Sequence, residues 1–239
     1  MSDPVTEIAY VPLNPSISLD SGEGKEIWQS TLQTIASQEG FKRLYWGTQI
    51  ENPSIAQMAI GTFAPPPKHS NPLTQTDWTS LEAHKAFIAS PAYGPFLDRL
   101  APLLATSPHI FHIRLPTPSQ ESGTPPFNAP VTECISLYFA PSASESAYNA
   151  NFSAFVAEAG KVPGAGATGL VGGWGVETHR VDDGEGEEKK LFGAFVGWPS
   201  LESHMEFREK EEFARVVGHL REGVEKVKVH HVAFTEFEA

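Results

Sequence analysis

Cysteine, positive charge and long apolar runs are all scarce in this sequence. Cys134 is the only cysteine among 239 residues, which excludes an intrachain disulfide and a cysteine-based zinc site. No apolar run approaches the roughly 20 residues needed to span a bilayer. The first ten residues, MSDPVTEIAY, lack the basic segment and apolar stretch of a secretory signal. A cytoplasmic location is therefore predicted.

The scarcity of positive charge excludes two classes of partner. The formal net charge is −12. Residues 1–130 carry 11 acidic and 7 basic side chains, and residues 131–239 carry 18 and 10. Neither part offers the basic stripe that binds a phosphate backbone or an anionic membrane. The glycine-rich stretch 164–175 also lacks any phosphate-loop or dinucleotide pattern, so no cofactor is predicted.

An internal repeat is the dominant feature of the sequence. Residues Trp78–Leu100 match Trp198–Leu220 at a constant offset of 120 positions. Seven of the 23 positions are identical: Trp78/Trp198, Ser80/Ser200, Leu81/Leu201, Glu82/Glu202, His84/His204, Phe87/Phe207 and Leu100/Leu220. The repeat predicts two similar units, residues 1–115 and 131–239. A linker with five prolines at 116–130 joins them.

Both units show the same order of predicted elements. Apolar runs, turn signals and helical stripes give β-α-β-β-α-β in each, which is a ferredoxin-like unit. Such a unit covers one sheet face with its helices and leaves the other face open. A second copy can cover that face. The prediction is an α+β fold in which the two repeats form an internal pseudo-dimer, with further homodimer formation left open.

Three short motifs carry a resemblance to a known superfamily. They are Tyr45-Trp46-Gly47, Ser80-Leu81-Glu82-x-His84-x-x-Phe87 and Ser90-Pro91-Ala92-Tyr93-x-x-Phe96. With the element order, they resemble the dimeric α+β-barrel superfamily. Within it they are similar to the antibiotic-biosynthesis-monooxygenase-like and stress-responsive A/B-barrel families, in the fungal tandem form. The resemblance implies a cofactor-free monooxygenase, a polyketide cyclase, a heme-degrading enzyme or a member without known activity.

His84 is the first candidate for chemistry. At 100° per residue it falls inside the apolar stripe of its helix, beside Phe87, and His204 has the same relation to Phe207. A histidine facing the sheet can exchange a proton with a bound ligand. It can equally be a core histidine that is satisfied by a backbone carbonyl. Its presence in both repeats favours the structural interpretation.

Tyr93 is the second candidate, because the equivalent residue of the other repeat is Phe213. The aromatic ring is kept in both copies, but the hydroxyl exists only in the first. The resemblance implies a polar group near this position, since related cyclases use a histidine or tyrosine there. Those cyclases also use histidines on the first and third strands, where this chain has Glu7 and Gln57.

The last strand of each repeat supplies further histidines. Aligning IFHIRL with VHHVAF superposes His112 on His231, and strand alternation places His112 and Arg114 on one face. This pair either binds a carboxylate or phenolate or lines the seam between the sheets. The spacing of His109 and His112, and of His230 and His231, does not put two side chains on one strand face. No metal is therefore predicted, while heme ligation stays open.

These observations predict a cofactor-independent enzyme acting on an apolar aromatic or polyketide-like small molecule, by cyclisation, dehydration or oxygenation. The predicted pocket lies between helix and sheet of the first repeat, with His84 and Tyr93 as catalytic residues. Predicted substrate-binding residues are Tyr45, Trp46, Gln57, Phe87, Phe96, His112 and Arg114, with the second-repeat equivalents Trp174, His204 and His231. The alternative is a non-catalytic stress-responsive or small-molecule-binding protein with structural histidines.

Overall fold

The structure is a computed structural model that describes residues 5–39, 41–61, 81–116, 125–181 and 186–238. Several sequence predictions lie outside these residues: those on Trp78 and the cap of its helix, on the proline-rich insertion 64–77, on most of the linker and on part of the acidic loop.

The first repeat has the predicted order of elements, with its second helix in two pieces. The serine-proline step at Ser90 ends one piece, and a new helix begins at Tyr93. The elements are β1 (Thr6–Pro12), α1 (Gly22–Ala36), β2 (Leu44–Thr48), β3 (Ile55–Ile60), α2 (Leu81–Ile88), α3 (Tyr93–Leu100) and β4 (His109–Ile113).

The second repeat follows the same plan with longer strands. Ser200, in the repeated motif, caps its second helix by accepting a hydrogen bond from the Ser203 backbone N–H at 3.2 Å. The elements are β5 (Val131–Phe139), α4 (Glu145–Ala159), β6 (Gly169–His179), β7 (Lys189–Trp198), α5 (Leu201–Arg208), α6 (Phe213–Arg221), β8 (Lys226–Val232) and β9 (Thr235–Glu236). The segment after α6 divides at Ala233-Phe234, which separates β8 from β9.

The strands of the described residues pair in the order β8-β5-β7-β6-β4-β1-β3-β2-β9. Two junctions join the repeats. Ile113 of β4 pairs with Gly175 of β6, and Val232 of β8 pairs with Gln49, just after β2. The strand β9 then pairs with β2, although it belongs to the C-terminal end of the chain. The sheet thereby curls into an α+β barrel made of two ferredoxin-like halves.

Three hydrophobic clusters follow from this arrangement. One lies between the helices and sheet of the first repeat, and it includes Trp28 and Leu32. A second lies between the two sheets, where Ile8 meets Phe195. The third lies between helices and sheet of the second repeat. A strand such as β5 is buried on both faces, which is why its sequence is a mixed apolar run rather than an alternating one. Among the described residues, no helix has the length and apolar content to cross a membrane.

Both junctions require close backbone approach. A Cβ on Gly173 would lie 1.9 Å from the carbonyl oxygen of Arg114, and a Cβ on Gly47 would lie 2.5 Å from that of Ala233. Arg114 and Ala233 are equivalent positions, each two residues after the histidines His112 and His231. Glycine at these places therefore lets one repeat seat against the other.

Replacing Gly173 with alanine is expected to destabilise the protein by about 1–3 kcal/mol, because the new methyl group can be accommodated only by moving backbone. The measurement is the free energy of unfolding in denaturant. Gly218→Ala in α6 is the control, since a Cβ there meets no atom within 4 Å. That change should raise stability by about 0.5–1 kcal/mol. Equal behaviour of the two variants would contradict the packing at the junction.

Candidate functional site

A cavity with a volume of about 650 Å³ lies between helices and sheet of the second repeat. This is within the range of about 300–1,000 Å³ that is usual for small-molecule sites. Its walls are mainly apolar, with Phe155, Phe207, Phe213 and Leu220 among them. The polar side chains that reach it include Glu133 and His204. The cavity is therefore an apolar chamber with a titratable group at its base.

The loop between α4 and β6 opens this chamber. Eight of the residues in 160–169 line it, and all of these except Val162 are glycine, alanine or threonine. Gly164 and Gly166 adopt positive φ angles of 62° and 82°, which favour glycine. In the first repeat the corresponding connection carries Phe41, which packs on the hydrophobic cluster beneath it. Small side chains thus leave open a volume that larger ones fill in the first repeat.

A chain of four titratable side chains begins at the base of the chamber and ends outside its wall. We call these residues, Glu133, His204, His231 and Glu51, the second quartet. His204 Nε2 lies 3.5 Å from Glu133 Oε2, and His204 Nδ1 lies 2.7 Å from His231 Nε2. His231 Nδ1 contacts Glu51, whose other carboxylate oxygen accepts a 2.8 Å hydrogen bond from the His231 backbone N–H. Glu51 belongs to the first repeat, so the quartet crosses between repeats.

The fold fixes the members of this quartet individually. Glu133 of β5 stands directly opposite His231 of β8, and His204 projects from α5 onto both. The ring of Trp198 stacks on His204 at a centroid distance of 4.8 Å, and its Nε1–H donates to Glu133 Oε2 at 3.1 Å. A tryptophan from the repeated motif therefore orients both the carboxylate and the imidazole.

Burial and hydrogen bonding set the protonation states. Burial raises the pKa of Glu133 to about 7, against the opposing effects of the Trp198 hydrogen bond and the Arg208 charge. Burial, with the neighbouring His231, lowers the pKa of His204 to about 4, so its imidazole is neutral at neutral pH. Burial alone would raise the pKa of Glu51, but the hydrogen bonds from His231 outweigh it and lower that pKa.

The carboxylate at the end of this chain fixes one hydrogen bond, because Glu51 accepts from His231 Nδ1–H. Each ring nitrogen of His204 faces one partner, Nδ1 facing His231 and Nε2 facing Glu133. The quartet is therefore a row of titratable groups that extends from a buried carboxyl group to a carboxylate whose side chain is 46% exposed.

The first repeat contains the equivalent residues, and we call Glu7, His84, His112 and Glu177 the first quartet. His84 Nδ1 lies 2.9 Å from His112 Nε2, and His112 Nδ1 lies 2.7 Å from Glu177 Oε1. Glu177 belongs to the second repeat and also accepts from the His112 backbone N–H at 2.9 Å. Glu7 Oε2 lies 3.3 Å from His84 Nδ1. The crossing between repeats is thus reciprocal.

The cavity beside the first quartet has a volume of only about 160 Å³. It is lined by the predicted residues His84, Tyr93, Phe87 and Phe96, which the structure brings together. Burial and then the charge of Glu7 raise the pKa of Tyr93, so its hydroxyl stays protonated. The predicted pocket therefore exists, but its volume is about a quarter of that in the second repeat.

The other predicted site residues lie elsewhere. Tyr45 stacks on Phe127 between the sheets, and Trp46 packs on Trp28 beneath α1. Neither belongs to a cavity wall. The remaining four predicted residues are not among those that line the first cavity. Gln57 contacts His230 between the sheets, and Arg114 is exposed beside Gly175. Trp174 donates to Asn149 in the second-repeat core, and His112 lies behind His84.

Sequence reasoning missed the four glutamates of the quartets. A signal for two of them was present: Val5-Thr6-Glu7 and Val131-Thr132-Glu133 place an acid at the same position of two apolar strands. Glu51 and Glu177 had no such signal, because each acts on a histidine of the other repeat. The prediction of no metal site was based on neighbouring histidines within one strand. The fold gathers potential ligand atoms of Glu7, His84 and His112 within 4.8 Å of one another.

The raised pKa of Glu133 predicts a pH dependence of stability. The folded state holds this proton up to about pH 7, whereas the unfolded state loses it near pH 4.5. The contribution of Glu133 to stability is therefore fully present below about pH 4.5 and lost as the pH rises through about 7. Between pH 4.5 and 8, the unfolding free energy of the wild type should therefore fall relative to that of the Glu133→Gln variant.

Denaturant unfolding of both proteins across this pH range measures the effect as the difference between two curves. Glu206→Gln on the exposed face of α5 is the control, since that carboxyl meets water in both states. Its curve should run parallel to that of the wild type. A parallel curve for Glu133→Gln would refute the assigned protonation.

Comparisons with known proteins bear on the fold. A scan against protein-family models and a search of curated proteins found no match. Among solved structures, an anthrone oxidase-like protein has a TM-score of 0.64 and 14% identity, covering 99% of this chain and 93% of its own. A candidate monooxygenase from Lactobacillus acidophilus has a TM-score of 0.57 and 10% identity, and the match covers 98% of this chain and 96% of that one. A second candidate monooxygenase, from Fusobacterium nucleatum, has a TM-score of 0.53 and 8% identity, and the match covers 100% of this chain and 99% of that one. This chain therefore has the dimeric α+β-barrel fold of these monooxygenase-like structures, with both repeats in one polypeptide.

Proposed function

We propose that the protein is a cofactor-independent enzyme that removes a proton from an apolar aromatic small molecule bound in the second-repeat chamber. The observation that carries the proposal is the second quartet. It links a buried carboxyl group in an apolar cavity of about 650 Å³ to an exposed carboxylate. The likeness to an anthrone oxidase-like structure supports a polycyclic aromatic substrate with an acidic C–H or O–H bond.

Glu133 is the proposed general base. A base is most effective when its pKa lies near the working pH, and burial raises the pKa of Glu133 to about 7. The carboxylate takes the proton, and the electron pair stays on the substrate as an enolate or phenolate. Arg208 also lines the chamber and brings a positive charge toward the developing anion. The Trp198 N–H keeps the carboxylate oriented.

The proton then leaves through the quartet. His204 Nε2 accepts it from Glu133, His204 Nδ1–H passes its proton to His231 Nε2, and His231 Nδ1–H passes its proton to Glu51. Glu51 exchanges with water, and the base is ionised again. With an anthrone, the resulting carbanion reacts with dioxygen to give an anthraquinone and hydroxide, and the hydroxide takes up a proton to form water. Anthrone and dioxygen together therefore give anthraquinone and water, which balances without a cofactor.

This proposal moves the chemistry from the first repeat to the second. His84 and Tyr93 were the predicted catalytic residues, and they border a cavity of about 160 Å³. An engineered cavity of about 150 Å³ holds a molecule as small as benzene. The first cavity is accordingly too small for a polycyclic substrate, while its counterpart has room for one.

Anthrone is a suitable probe, because its conversion to anthraquinone is followed by absorbance. Glu133→Gln should lower kcat by about 10²–10⁴-fold, the usual contribution of a general base. The exposed Glu206→Gln should keep wild-type kinetics. Tyr93→Phe tests the first repeat. If this change abolishes turnover and Glu133→Gln does not, the active site is the smaller cavity of the first repeat.

The end of the relay gives a separate prediction. Glu51→Gln still accepts a hydrogen bond from His231 but cannot take its proton. We expect kcat to fall at least about tenfold with little change in KM, since Glu51 is not part of the chamber wall. An unchanged kcat would show that protons leave by another path.

A non-catalytic binding protein is the second candidate, and one observation favours it: an equivalent quartet joins the repeats on both sides. In that case Glu51→Gln and Glu133→Gln would change the free energy of unfolding but not the turnover of any substrate. Thermal shift with anthrone separates binding from chemistry, because a ligand of the native state must raise its melting temperature.

A further inference from the structure

The two quartets contain the same residue types but differ in the way that the helix histidine meets its partners. In the second quartet His204 uses both ring nitrogens, Nδ1 for His231 and Nε2 for Glu133. In the first quartet both partners approach the same nitrogen. Glu7 Oε2 lies 3.3 Å and His112 Nε2 lies 2.9 Å from His84 Nδ1.

One imidazole nitrogen cannot satisfy both of these contacts well. It carries either a single proton or a single lone pair. Glu7 presents a carboxyl oxygen at this point, and His112 presents Nε2, because its Nδ1 faces Glu177 Oε1. Three atoms able to donate electron pairs therefore converge at one buried point. A cation at that point would satisfy all three.

We infer that Glu7, His84 and His112 form a binding site for a divalent transition-metal ion, with zinc as its simplest occupant. Their ligand atoms lie within 4.8 Å of one another, and all three residues are buried. Tetrahedral zinc with bonds of about 2.0–2.1 Å needs ligand atoms roughly 3.3 Å apart. Two of the separations, 2.9 and 3.3 Å, are already close to this value.

The surroundings match those of a metal site. Metal-binding histidines usually donate their other ring N–H to a carboxylate, which orients the ring and raises its basicity. Glu177 has this relation to His112, with Oε1 at 2.7 Å from Nδ1 and Oε2 on the backbone N–H of the same residue. Because Glu177 comes from the second repeat, the site is complete only when both repeats are in place.

The small cavity of the first repeat gives the site an open position. Glu7 and His84 both border it, together with Tyr93. A metal ion with three protein ligands therefore has room on that side for water or a small oxygen ligand, as open zinc sites do. The ligand set of one carboxylate and two imidazoles suits zinc, and also ferrous iron. The site is independent of the chamber proposed for the substrate.

The test is titration of the chelator-stripped full chain with Zn²⁺ by calorimetry, supported by the visible spectrum of Co²⁺ in the same site. One equivalent should bind and raise the melting temperature. Glu7→Gln should abolish this binding, and Glu177→Gln should weaken it by about 10- to 100-fold through loss of the orienting carboxylate. Circular dichroism verifies that each variant is folded.

The second quartet supplies the matched control. Glu133→Gln changes the equivalent residue of the other repeat and should leave zinc affinity and stoichiometry as in the wild type. Failure to bind zinc, or binding that Glu7→Gln leaves intact, would overturn the inference. Two equivalents, reduced to one by Glu133→Gln, would overturn the assigned difference between repeats. None of these results bears on the turnover of anthrone.

Discussion

The structure depends on a reciprocal contact in which each repeat lends a carboxylate to a histidine of the other. Glu177 receives two hydrogen bonds from His112, and Glu51 receives two from His231. Each carboxylate binds a ring nitrogen and a backbone N–H of one residue, which fixes the strand edge and the imidazole at once. A carboxylate in this position also decides which nitrogen of the histidine carries the proton. The seam between repeats and the chemistry of the sites are therefore one feature.

From this common base the two repeats have diverged. A glycine- and alanine-rich loop borders a large chamber in the second, while the corresponding connection of the first carries Phe41, which packs on the hydrophobic cluster of that repeat. The tyrosine hydroxyl remains only in the first, where it borders the smaller cavity. The helix histidines differ as well, since His204 connects its partners in series and His84 presents one nitrogen to both. One duplicated framework thus supports a proton path on one side and a chelating arrangement on the other.

Most of the fold could be predicted from the sequence, and much of the site could not. The duplicated motif and the order of helices and strands along the chain are encoded in residues that are close together in the chain, so periodicity and turn residues reveal them. The superposition of His112 on His231 was predicted because a repeat relates positions without a structure. The roles of Glu51 and Glu177 depend on contacts across repeats, which local patterns do not contain. The size of a cavity depends on the sum of many side-chain volumes, so the sequence pointed to the pocket of the first repeat without indicating the larger cavity of the second.

The short strand β9 has a consequence for how the protein is made. It pairs with β2, and Arg43 beside β2 forms an ion pair with Glu236, 193 positions later. During synthesis on the ribosome, the first repeat emerges before β9, so its β2 edge lacks this strand partner until β9 has been made. An uncovered strand edge invites pairing with other chains. The nascent protein therefore passes through a stage in which the first repeat has been synthesised but the edge of β2 is not yet paired with β9. A chain that ends before β9 would keep this edge unpaired with β9.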